Sequence, residues 1–153
     1  MTIKVYQGEN ALDDMLNDML GIQLEGEALY RRLPPALFEL LKPGDHYVSI
    51  QHIGDGFLIF GEIIESEYEE DREMMAQSPW LRLVRAWSEV YPPGELGHEF
   101  VSTLLPISNE AFEEAKARQW KVDPRLAADW SRARLAEVGL TPADLLAARG
   151  YHL

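Results

Sequence analysis

Glu62 stands in the run FLIFGEII, a carboxylate set between Phe60 and Ile64. A charged carboxylate on a covered surface must be paired, hydrogen-bonded or protonated, because ionised and alone it is destabilising. The preceding run, HYVSIQHI, supplies the polar residues Tyr47, Ser49 and Gln51. Asp55-Gly56 lies between the two runs, and both positions tolerate the positive φ of a tight hairpin turn. A two-residue turn there pairs Ser49 with Glu62, Gln51 with Phe60 and Tyr47 with Ile64. One sheet face then gathers Tyr47, Ser49, Gln51 and Glu62. That quartet is the candidate ligand-binding site, with Glu62 as acceptor or general base and the other three orienting the ligand. A structural reading competes, in which Glu62 lies at the solvated margin or is satisfied by Arg82 or Arg85. A three-residue turn would shift the pairing by one and separate Ser49 from Glu62.

Other chemistry finds fewer residues to work with. His46 and His52 are six apart on one strand, roughly 20 Å at strand rise, too far to share a metal. The sequence HEFVS at His98 is not H-E-x-x-H, and His152 lies at the extreme C-terminus. No metal site and no cofactor is therefore expected. Neither a glycine-rich phosphate loop nor a G-x-S-x-G nucleophile elbow occurs; Gly94 and Gly97 in PPGELG read as a hairpin loop. The chain has no cysteine, which excludes disulfide scaffolds, thiolate catalysis, zinc fingers and iron–sulfur ligation.

The elements that must position these residues follow from patterning. A chain of 153 residues with 46% hydrophobic and 26% charged residues fits one globular domain spanning 1–153. TIKVYQ reads as a short strand. Asn10 caps a helix with Leu12, Met15, Leu16, Met19 and Leu20 on one stripe, and Gly21 offers its end. LEGEALYRRL is a loop or a frayed helix, and PPALFELLK a short helix opened by proline. PGD turns the chain into the central hairpin, which is apolar on both faces and expects cover on both. Ser66 and Glu69 make a capping-box pattern for an acidic helix. Residues 80–91 suit either a helix or a strand; the strand is preferred because a lone hairpin needs more strands, and HEFVSTLLPI supplies a partner. Ser108 or Asn109, Asp123-Pro124 and Thr141-Pro142-Ala143-Asp144 each open a helix, the last two ending at Gly139 and Gly150. The expected fold is α+β. A central antiparallel sheet of about four or five strands, barrel-like in one version, occupies about 46–107, with helices before it and at about 109–150.

The order LKPGDHYVSI…FLIFGEIIE, residues 41–65, resembles the PUA/ASCH-type small barrels, where a helix leads through PGD into a strand. That resemblance implies a β-barrel that reads RNA or nucleotides, with Lys42, Asp45 and Glu62 near its groove. Charge weighs on the other side. Net charge is −12, and residues 1–114 hold 7 Lys/Arg against 22 Asp/Glu, while residues 115–153 hold 7 against 4. Such a body repels phosphate backbones and favours basic partners. The expectation is a non-enzymatic protein-interaction or regulatory module in the cytoplasm. It would meet a partner with a basic surface or a second copy of itself. MTIKVYQGEN shows no secretory signal and no apolar run is long enough to span a membrane. A ligand-binding or hydrolytic enzyme centred on Glu62 is the alternative from another class, and a PUA-like module the third.

Overall fold

The computed structural model describes residues 8–52, 57–90 and 94–149. Helix α1 (Ala11–Arg32) leads through a 3-10 helix (Pro35–Leu40) into β1 (His46–Ser49). Then come β2 (Phe60–Ile63), α2 (Glu69–Ala76), β3 (Leu81–Trp87), β4 (Glu95–Phe100) and β5 (Leu104–Ile107). Helices α3 (Asn109–Ala117), α4 (Pro124–Ala136) and α5 (Pro142–Ala148) follow. The five strands form one antiparallel sheet in the order β4-β3-β2-β1-β5, so the fold is α+β.

Local chemistry accounts for most element ends. Ser108 Oγ accepts from Ala111 N at 3.1 Å to open α3, and Asp123 Oδ1 accepts from Arg125 N at 2.7 Å ahead of Pro124 in α4. Thr141 and Asp144 close a reciprocal capping box on α5. Residues 81–87 are a strand, and HEFVSTLLPI is split in two by a 3-10 turn at Val101–Thr103. Two expectations are corrected. Gly21 does not end α1, which runs on to Arg32 and stops ahead of Pro34, whose ring disfavours helix in the preceding residue. Further along the same helix, Gly26 is required for packing, since a Cβ there would meet the Phe100 ring at 2.5 Å. Ser66 does not cap α2 through a box with Glu69. Its hydroxyl accepts from Tyr68 N in a tighter turn, and the helix starts two residues later than the box requires. The expected strand TIKVYQ, the Asp55-Gly56 turn and the stop at Gly150 lie outside the described residues.

The sheet curls strongly. β4 and β5 are its opposite edges, yet only Val101–Thr103 separates Phe100 from Leu104. That stretch spans at most about 14 Å, whereas the outer strands of a flat five-stranded sheet lie about 19 Å apart. The C-terminal end of β4 must therefore approach the start of β5, which lies toward the other end of the sheet. The two edges do not pair with each other, so the sheet stays open and the barrel is not formed.

Register divides the side chains between two faces. His46, Val48, Phe60, Glu62, Arg85, Trp87, Leu105 and Ile107 share one, and α3 and α4 cover its β1 and β2 region with aromatic rings. Phe112 stacks on His46 at 4.1 Å, while Trp120 and Trp130 lie 5.8 and 6.4 Å from Phe60. Tyr47, Ser49, Gly61, Ile63, Arg82, Val84 and Glu99 share the other. Both faces of the central hairpin are covered, and all four β1 residues are buried.

Candidate functional site

The register decides what the expected quartet becomes. β1 and β2 pair His46 with Glu62, Tyr47 with Gly61 and Val48 with Phe60, and Ser49 N donates to Ile59 O at 2.8 Å. Glu62 therefore meets His46 where a two-residue turn would have given it Ser49. The displacement is three residues, an odd number, so the faces exchange partners. Tyr47 and Ser49 stay together, Glu62 moves to the opposite surface, and Gln51 leaves the sheet for an exposed 3-10 turn at Ile50–His52. The four residues do not converge.

Glu62 is half-buried in a cross-strand row with His46, Arg85 and Ile107. Arg85 faces it across the ladder and donates through Nη1 to the Gly94 carbonyl. His46 is the drier member of the row. Burial against Phe112 holds its pKa below the ordinary value of 6.5, opposed by the carboxylates of Glu62, Glu113 and Asp45. A histidine shifted down binds its proton more readily in the unfolded chain. The stability it contributes is thus fully present above 6.5 and lost as pH falls toward the folded-state value. Between about pH 7.5 and about pH 5.5 the native chain is expected to lose more melting temperature than His46→Phe. Equal losses would show that this imidazole does not couple to folding.

The opposite face holds a carboxylate whose pKa burial raises, Glu99. Tyr47 lies across Gly61, where a Cβ would come within 2.4 Å of its ring, and so covers β2. Burial raises the pKa of its hydroxyl, and the Glu99 carboxylate raises it further. Glu99 is itself pushed up by burial. Arg82 sits directly opposite Glu99, but its guanidinium donates to the carbonyls of Leu41, Pro79 and Leu81, at 2.7–2.9 Å. A Cβ built on Gly97, between Glu99 and Glu95 on this face, would meet nothing within 4 Å. Tyr47 and Glu99 together therefore make the polar spot that the sequence placed at Glu62. Glu99 follows His98 in HEFVS, where nothing local marks it as the carboxylate that burial reaches. The missing signal was tertiary: the fold sets Glu99 where its charge acts on Tyr47, from a strand three places away in the sheet.

Because Glu99 takes up a proton more readily folded than unfolded, its ionised form opposes folding at neutral pH. That penalty disappears as pH falls through the raised value. Glu99→Gln is accordingly expected to raise the melting temperature by a few degrees at pH 7 and to lose that advantage below about pH 4. A drop in stability at pH 7 would mean that the carboxylate is paired.

A second polar feature stands outside the sheet. None of the eight residues of α2 is buried. Glu65, Glu67, Glu69, Glu70, Asp71 and Glu73 are all exposed, and among them Tyr68 is 71% and Met74 52% exposed. Beneath the helix, a cleft of about 230 Å³ separates it from Ile64, Leu81 and Leu83. Among the described residues, no three of His, Asp and Glu are grouped to hold a metal ion, and no helix is long and apolar enough to cross a membrane. No family model, curated protein or solved structure matches the chain.

Proposed function

We propose that this chain is a protein-interaction domain whose docking surface is α2 and its acidic flanks. The observation that carries the reading is a helix with no buried residue that displays Met74, with Tyr68 just ahead of it, within a belt of carboxylates. A helix normally exists in a domain because it buries an apolar stripe. This one buries no residue fully within its own chain, Met75 alone being half-buried, and aromatic residues and methionine are enriched at interfaces. The complementary surface is basic at its rim, to meet the glutamates, and apolar at its centre, to cover Tyr68 and Met74. Attraction between charges of opposite sign then speeds association, while the apolar contacts supply most of the affinity.

The test is a pull-down at about 0.05 M and about 0.5 M salt, comparing the native chain with a variant carrying Glu69→Lys, Glu70→Lys and Glu73→Lys. The native chain should retain a protein that high salt releases and that the variant fails to bind at either concentration. All three positions are solvent-exposed, so the variant is expected to fold, which circular dichroism checks. Capture that is indifferent to both salt and the substitutions would overturn the assignment.

A further inference from the structure

A cleft of about 260 Å³ opens where α4, α5, β5 and the turn after β1 meet. Its walls are apolar: Ile50 and Leu105 on the sheet side, Pro142 and Leu146 on α5. α4 contributes Ala128, Ser131 and Arg132. Ser131 is completely buried, and its Oγ has no hydrogen-bond partner among the described residues. Helical serines commonly donate back to the carbonyl one turn earlier; this hydroxyl does not. Arg132 is exposed at the mouth, where Nη1 donates to Asp129 Oδ1 at 2.6 Å. A guanidinium has five N–H groups, so donors remain for a second acceptor.

We infer that this cleft binds a small apolar carboxylate, its tail between Leu105 and Leu146 and its head between the Ser131 hydroxyl and Arg132. Each element answers a feature of the site. The walls exclude water and offer the tail no polar competitor. Ser131 is a dry donor that lacks only an acceptor. Arg132 selects an anion over an alcohol. Size follows from volume. A cavity of about 150 Å³ is filled by benzene, so this one takes about ten non-hydrogen atoms, the size of octanoate. The cleft shares no lining residue with the one beneath α2 and stands independently of the interaction reading.

The experiment is a titration of the native chain with octanoate, followed by amide chemical shifts, with octanol as the uncharged comparison. Saturable shifts are expected at Ile50, Leu105, Ala128 and Leu146. Octanol should bind more weakly. Ser131→Ala should weaken octanoate roughly five- to tenfold, the fold-change of one hydrogen bond to a charged group. Ala128→Phe, which fills the cleft from α4, should abolish the shifts; if it unfolds, Leu146→Trp serves the same purpose from α5. The proposal is overturned by an absence of shifts at about 10 mM octanoate, a concentration at which even a millimolar site would be mostly occupied. Equal affinity for octanol, or binding that survives the filled cleft, would overturn it too.

Discussion

Gly61→Ala is expected to destabilise the domain by about 2–3 kcal/mol, an unusually large effect for one methyl group in a strand. Alanine in place of glycine ordinarily helps a strand slightly, because the unfolded chain loses conformational freedom. Here the new Cβ would stand 2.3 Å from Tyr47 Cζ and 2.4 Å from Cε1 and the hydroxyl oxygen. Tyr47 is only 1% exposed and cannot swing into solvent to relieve the clash. Either the ring leaves its rotamer or β2 moves away from β1. The decisive measurement is a double-mutant cycle by chemical denaturation. In a Tyr47→Leu background the ring is gone, and Gly61→Ala should become nearly neutral. A cycle with no coupling would show that Tyr47 does not lie across Gly61, and the polar spot with Glu99 would lose its geometry.

Phe60→Ala should cost about 3–5 kcal/mol, a large part of the 5–15 kcal/mol typical of a domain's whole stability. Phe60 is fully buried at the centre of the sheet and touches both Trp120 and Trp130. Its loss removes apolar area and leaves a cavity exactly where the sheet and the C-terminal helices meet. The helices cannot simply collapse inward, because Trp120 also stacks on Trp87 at 5.6 Å and is held there. Tryptophan emission should shift to the red along with the fall in denaturation midpoint, since water gains access to two indoles. Leu96→Ala, at a residue 56% exposed on the edge strand, supplies the control and should change stability by less than about 0.5 kcal/mol. If the two variants behaved alike, the docking of the helices on Phe60 would be in doubt.

Much of the fold can be read from short stretches. Ser108, Asp123-Pro124 and Thr141-Asp144 announce three helices by cap chemistry, which depends on neighbours two or three residues away and on nothing else. The strand at Leu81–Trp87 is legible from its branched and aromatic residues together with the need of a hairpin for further strands. Gly21 misled for the opposite reason. A glycine lowers local helix propensity by about 1 kcal/mol relative to alanine, but tertiary packing commonly overrides such a preference. The acidic run before Arg72 is visible as a helix start, but not that the helix would bury none of its residues.

What the sequence by itself determined is the inventory: an acidic α+β chain, an antiparallel sheet of about four or five strands, capped C-terminal helices and alternation of side chains along each strand. Those properties arise from dihedral preferences, caps and the two-residue period of a strand, all of which act within a few residues. Which carboxylate becomes dry was decided by tertiary structure alone. A displacement of three residues between β1 and β2 placed Glu62 beside His46, and the fold set Glu99 where burial raises its pKa and its charge acts on Tyr47. Register and curvature are set by how whole faces pack against helices far away in sequence. A change of one residue in either inverts every contact across the strand, and no local pattern records that choice.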